Sequence, residues 1–368
     1  MRNLPQLVSA VQHNCDVSDA RFAGDYGLCT FLLKMREYYR WENELPFSRA
    51  LPKNELGEWL ASREKHWDAI ESEAFHRLPL GLGDADPLAA DAANRELLAR
   101  GLVYGAGFGR YLKPVFFLGK LLRIEQCGDF TVLVSSCEYA RELAAPPAML
   151  QGRTIYLRQE SVRRYLWEKI EEWQWRKQGG AMARALAGCG FAADPDAALA
   201  RLAEHASEAM VRHELGEAMA GELLGDAWTE LSNAVARTRH EAPVRAIRDL
   251  LADSLSTLPA LLQSANLPAL HVYFATYDSP RRELFPQALE AYADLVQGGA
   301  ADSLWRAARE GQERWLATAR HLAALGAEAR EKALDALNPP GPTRPAAPDA
   351  NESARVTRYV AGAGASTV

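Results

Sequence analysis

The chain has 368 residues, long enough for one large core or two domains, and its 48% apolar and 24% charged content is that of an ordinary globular protein. With a formal charge of −6 and scattered Lys and Arg, it lacks the basic stripe of an electrostatic nucleic-acid binder, so no nucleic-acid partner is expected. No apolar run reaches about 18 residues, no signal peptide opens the chain and none of the five cysteines forms a CxxC pair; together these predict a cytoplasmic protein without membrane span, disulfide framework or zinc finger.

In chain order, "DYGLCTFLLKMREYYRWE" (25–42) and "KNELGEWLASREKHWDAIESEAFHRL" (53–78) read as helices of an N-terminal region over 1–100. The turn-prone "GLGDADPLAADAAN" interrupts that region. Residues 101–160 have a different character. "LLRIEQCGDFTVLVSS" reads as a hairpin turning on Cys-Gly-Asp, "CEYARELAAPPAM" as a short helix stopped by two prolines, and "TIYLR" as a third strand. "VYGAGFGRYLKP" has the glycine density of a dinucleotide loop. No strand is evident before it and no acidic residue follows in a βαβ setting, so its glycines read as a tight turn.

From 161 to 338 the pattern is a helical core. Helices are expected over 160–177, 180–188, 196–225, 226–239, 242–262, 280–297 and 300–338, bounded or bent by Pro259, Pro268, Pro280 and Pro286. The Pro-, Ala-, Gly- and Ser-rich tail at 339–368 is expected to be disordered. The predicted fold class is mainly α, an irregular helical bundle with a small β insertion.

The most informative stretch is "VRHELGEAMAGELLG" (211–225). On a helix, His213, Glu214 and Glu217 share a face with Met210, Ala220, Gly221 and Leu224. Small residues let a facing helix approach and exclude water, and carboxylates buried there need a cation, an arginine or a shared proton. A His nitrogen with carboxylate oxygens suits iron, manganese or zinc, and di-iron bundles gather such groups from several helices. His213 and Glu217 are therefore predicted ligands, with Glu214, Glu37, Glu171, Asp249, His240 or Glu241 completing the shell. HELGE lacks the second histidine of a zinc protease, and Glu73-Ala-Phe-His76 supplies one Glu-x-x-His pair.

Two further residues are catalytic candidates. Glu171 shares a helix face with Trp167 and Trp175, an aromatic surround that disfavours ionisation and suits proton transfer. Arg36 offers a fixed fork of donors to a carboxylate or an anionic ligand.

Each of these has a plainer reading. His213 and Glu217 would form a surface i,i+4 pair, as would Arg164 and Glu168. The Trp-flanked face of Glu171 would be a packing surface. Asp249 and Asp253 would be solvated opposite the stripe Val244, Ile247, Leu251, Leu255 and Leu258. His240-Glu241 would cap the helix entered at Pro243. Cys15 beside His13 and Asp16 hints at a thiol nucleophile, although sequence neighbours seldom orient as nucleophile and base.

The segments "HNCDVSDARFAGDYGLCTFLLKMREYYRWE", "ARELAAPPAM", "WEKIEEWQW", "HELGEAMAGELLG" and "IRDLLADSLSTLPALL" together resemble a family of uncharacterised bacterial proteins over roughly 10–300. That resemblance implies no activity, cofactor or catalytic residue. The residues themselves lead to two expectations. One is a metal-dependent enzyme of the non-haem carboxylate type acting on a small molecule with iron or manganese: an oxidoreductase if a redox-active pair of irons activates oxygen, or a catalyst of hydrolysis or elimination if a single divalent ion is bound. The other is a non-catalytic helical scaffold whose carboxylates pair with arginines. A helical protein of this size is also expected to form a homodimer.

Overall fold

The computed structural model describes residues 4–81, 83–109, 112–176 and 179–337; the expectation for the 339–368 tail lies outside them. The chain opens with α1 (Leu4–Phe22), α2 (Leu28–Glu42) and α3 (Lys53–Ile70). A small antiparallel pair, β1 (Leu78–Leu80) with β2 (Gly83–Ala85), precedes α4 (Ala90–Leu97).

A five-stranded mixed sheet follows, built from β3 (Leu102–Phe108), β4 (Pro114–Cys127), β5 (Phe130–Arg141), β6 (Ala148–Gln151) and β7 (Thr154–Arg158). Its strand order is β3-β4-β5-β7-β6, antiparallel throughout except for the parallel β5–β7 pair. Register shifts between Leu118 and Arg123 mark bulges in the β4–β5 ladder, and bulges bend a strand; the sheet curls accordingly.

This sheet overturns the expected fold class. It is the body of the N-terminal half, not a small insertion in a helical bundle. The hairpin at Cys-Gly-Asp is present, with Gly128 at φ 60° in a two-residue turn. The first part of the glycine stretch read as a tight turn, 103–108, is instead strand β3; Gly109 belongs to the turn into β4, its N–H donating to the Lys113 carbonyl at 2.8 Å. Gly105 permits the strand: a Cβ there would sit 2.1 Å from a Phe117 ring carbon. "CEYAR", read as helix, continues β5, because its residues pair with β4 and their alternation was masked by charged side chains that the fold buries.

Helices cover the sheet in two regions. Leu7, Val11 and Cys15 of α1 and Ala93 and Leu97 of α4 pack on Leu102, Tyr104, Phe116 and Leu118. Further across the sheet Val132, Val134, Ile155 and Leu157 meet Val162, Leu166 and Ile170 of α5 (Gln159–Arg176), while Val103, Phe117, Leu133 and Tyr156, which alternate with these residues, form a cluster of their own. Met182, Ala185 and Leu186 of α6 (Gly180–Gly188) join that core, as do Leu199 and Leu202 of α7 (Pro195–Ala234). Asp194 caps α7 by accepting the Ala197 N–H, with Pro195 at the first helical position. Gly225, at φ 63° and ψ −162°, breaks the helix where two separate helices were expected to meet.

The C-terminal half is helical. It contains α8 (Glu241–Ala252), a π-helical turn (Asp253–Thr257), α9 (Leu258–Gln263) and α10 (Leu267–Ala275). Then come α11 (Ser279–Leu284), α12 (Pro286–Val296), α13 (Asp302–Ala324) and α14 (Ala327–Leu337). Its core gathers Ile247, Leu251, Leu258, Phe274, Phe285 and Trp315. Among the described residues no helix is long and apolar enough to cross a membrane.

Candidate metal centre

Gly216 determines how closely α7 and α8 approach. A Cβ at that position would lie 2.3 Å from the Ala252 carbonyl oxygen, so only glycine admits the contact. The small residue singled out from sequence, Gly221, has nothing within 4 Å of a built Cβ, whereas Ala220 is fully buried. Three residues before Gly216 and one after it, His213 and Glu217 face Asp249 and Asp253.

The π-helical turn begins at Asp253, and π turns are frequent at functional sites. Its geometry lets Thr257 Oγ1 donate to Asp253 Oδ1 at 2.9 Å. The same oxygen lies 2.8 Å from His213 Nδ1, while Asp253 Oδ2 accepts from Tyr273 Oη and Arg281 Nη1, both at 2.8 Å. Asp253 is 1% exposed, which overturns its reading as a solvated residue. Four donors and two cations explain why a buried carboxylate is tolerated here. Burial alone would raise its pKa; His213 and Arg281 outweigh that and hold it far below the ordinary carboxylate range.

On the other side of the imidazole, His213 Nε2 lies 3.5 Å from Glu217 Oε1, which also accepts from Arg248 Nη2 at 2.6 Å. Burial opposes ionisation of Glu217, but the His213 and Arg248 hydrogen bonds and charges bring its pKa down to about 2. Burial opposes the imidazolium too, and Asp253 followed by Glu217 overcomes it, leaving the His213 pKa well above its usual value. Glu214, one residue along, accepts a hydrogen bond from the Leu150 backbone of β6. Burial, then the like charge of Glu217, pushes its pKa up to about 7.

Asp249 completes the cluster. Ligand atoms of His213, Glu217 and Asp249 all lie within 4.8 Å of one another. Asp249 Oδ1 is buried without a hydrogen-bond partner, with Arg248 Nη2 3.9 Å away. Burial raises the Asp249 pKa, as does Glu217, against the pull of His213 and Arg248. An orphaned carboxylate oxygen, a second carboxylate and an imidazole nitrogen thus converge. Behind the imidazole, Asp253 fixes Nδ1, the arrangement by which an outer carboxylate orients a metal-binding histidine.

The other predicted residues lie elsewhere. Glu37, on α2, pairs with Arg40 at 3.1 Å and with Arg36 at 3.0 Å, and Arg36 also pairs with Glu171 of α5. The two catalytic candidates therefore form an ion pair. Trp175 is 68% exposed and Trp167 packs on Phe47 and Phe191, so the nearest charged neighbour of Glu171 is a guanidinium. His240 contacts Asp335 of α14 at 2.8 Å, and Glu241 accepts the Arg237 N–H at 2.8 Å. Cys15 is buried and donates to the Phe116 carbonyl; burial, then Glu142 and Asp19, raises its pKa well above the thiol norm, so it is no nucleophile. Arg164 and Glu168 form the expected pair.

Arg248, Tyr273 and Arg281 escaped the sequence reading. Arg248 adjoins Asp249 and was within reach of a wheel argument. Tyr273 lies in the apolar "LPALHVYFA" and Arg281 in a short loop-bounded helix, where only tertiary contact reveals their role.

Fold and site define a two-part protein: a curled sheet clad by helices, followed by a helical half that carries a His-carboxylate-arginine cluster. The chain belongs to the family of unknown function DUF6866. Its N-terminal domain model matches residues 6–158, which include the sheet, and its C-terminal domain model matches 163–339, which include the cluster. No curated protein and no solved structure matches the chain.

Proposed function

We propose that the protein is a metal-dependent enzyme of the non-haem carboxylate class, an oxidoreductase acting on a small molecule, with one divalent iron or manganese held by His213, Glu217 and Asp249. The observation that carries this reading is the convergence of one ligand atom each from His213, Glu217 and Asp249 within 4.8 Å of one another, beside an Asp249 Oδ1 that is buried without a hydrogen-bond partner. One nitrogen and two carboxylate oxygens form a donor set suited to iron or manganese, with coordination positions left for substrate or water. The three side chains are 23, 19 and 15% exposed, so a small molecule has a route to them. The proposal is for a single ion, because Glu37, His240 and Glu241 are engaged in other networks. Five free cysteines support placing the enzyme in the cytoplasm.

Charge bookkeeping supports the same reading. Without metal, His213, Arg248 and Arg281 balance Glu217, Asp249 and Asp253. A divalent ion would replace the imidazole proton and ionise Glu214, conserving neutrality, so affinity should rise with pH through about 7.

The Glu217–Arg248 and Asp253–Arg281 pairs favour a second reading, in which the cluster only braces α7, α8 and α11. Equilibrium dialysis against Mn(II), followed by elemental analysis, separates the two. The enzyme reading expects one ion per chain, lost in His213→Ala and Asp249→Ala variants that retain wild-type circular dichroism. A wild-type protein that stays metal-free while folded supports the bracing role instead.

A further inference from the structure

A cavity of about 670 Å³ lies between α2, β5 and the start of α5, far along the chain from His213, and Arg141, Arg164, Arg40, Glu160, Trp41 and Cys137 contribute to its wall. Its volume is that of a small-molecule pocket. Most of the charge around it is already matched. Glu37 is paired with Arg36 and Arg40. Glu138 is held by Arg158 at 3.2 and 2.7 Å and by Ser161 at 2.6 Å. Arg164 spans Glu168 and the Ala144 and Ala145 carbonyls. Glu160 accepts the Glu138 N–H at 2.7 Å and forms no ion pair among the described residues.

Arg141 is the unmatched cation. It is 1% exposed, yet among the described residues no carboxylate lies within ion-pair distance of it. Its guanidinium makes one long hydrogen bond, Nη2 to the Glu37 carbonyl at 3.4 Å, and Nε has no partner. The rings of Trp41 and Tyr38, 4.8 and 5.5 Å away, supply cation–π contacts in place of an anion. Burying an unpaired guanidinium is unfavourable, and its planar fork of donors matches an incoming carboxylate or phosphate.

We propose that this cavity binds a small organic oxyanion, a carboxylate or phosphate on an apolar body, with Arg141 as the anion's fork and Trp41 against the body. The site is independent of the metal centre. A planar guanidinium matches either oxyanion in bidentate fashion, and an indole accommodates an apolar or aromatic group.

Benzoate and phenyl phosphate, with benzyl alcohol as the neutral counterpart, test this by calorimetry on the full chain. At least one anion should bind saturably and the alcohol should not; which anion binds distinguishes the two oxyanions. Arg141→Met should weaken that binding by about tenfold to hundredfold while the variant unfolds no earlier than wild type on heating, since a bracing arginine would lower that temperature and an anion-seeking one would not. His213→Ala should bind the anion as wild type does. Cys137 provides a readout that needs no variant: its alkylation by iodoacetamide, followed peptide by peptide, should slow in the presence of the bound anion while that of exposed Cys29 does not. Equal binding of benzyl alcohol, unchanged affinity in a folded Arg141→Met, or no binding and no Cys137 protection with either anion would overturn the proposal.

Discussion

Substituting Gly216 with alanine tests the α7–α8 contact on which the site geometry depends. The new Cβ would lie 2.3 Å from the Ala252 oxygen and 2.8 Å from its carbonyl carbon, where real contacts essentially never fall below 3.0 Å. The helices must therefore part by at least 3.0 − 2.3 = 0.7 Å, and the obstacle is backbone, which cannot swing aside. Helix propensity favours alanine by about 1 kcal/mol. Against it stand overpacking at about 1–3 kcal/mol and strain on the charge-assisted His213–Asp253 bond, worth about 1.5–3 kcal/mol. The sum is a net destabilisation of about 1.5–5 kcal/mol. Urea unfolding of the metal-free protein measures it. Gly221→Ala on the same helix is the control: its Cβ meets nothing within 4 Å, so it should gain about 0.5–1 kcal/mol. If Gly216→Ala proved as stable as Gly221→Ala, the close approach of the two helices would be refuted.

Two further outcomes follow from the buried charges. Arg158→Met should destabilise the N-terminal half by about 3–5 kcal/mol in urea unfolding, because Glu138 and Glu142 lose their shared cation while fully buried; a loss under about 1 kcal/mol would contradict the pairing. Glu214 has a folded pKa raised from 4.5 to about 7, so its contribution is fully present below pH 4.5 and is lost as pH rises toward 7. Glu214→Gln should accordingly raise the melting temperature more at pH 7.5 than at pH 5, measured by calorimetry without metal, and an equal effect at both pH values would count against its burial beside Glu217.

Sequence periodicity carried the helical elements well. Helices over 160–176, 180–188 and around 195–234 were legible because their apolar spacing and caps are local signals. The sheet was not, and the reason is specific. Strand β5 alternates apolar residues with Glu138 and Arg141, which look solvent-facing until Arg158 and the cavity are known to lie beneath them. Strand β3 hides behind its glycines, of which Gly105 serves ring packing rather than turning. In the candidate site, His213 and Glu217 were legible as candidate ligands because helix spacing puts them on one face, whereas Asp249 lies on a second helix and reads as solvated from its own helix alone. Their partners Arg281 and Tyr273 come from sequence-distant helices, and no local pattern reports such contacts. The same limit scattered Glu37, His240 and Glu241 into a ligand shell they do not share.

The most direct test of the metal assignment is anomalous diffraction at the manganese edge from crystals of the protein grown with saturating Mn(II). The account predicts one peak about 2–2.5 Å from His213 Nε2, a Glu217 oxygen and Asp249 Oδ1, with Arg248 displaced from Glu217 and Asp253 still on Nδ1. A map with no peak at this position, and Arg248 still bonded to Glu217, would contradict it.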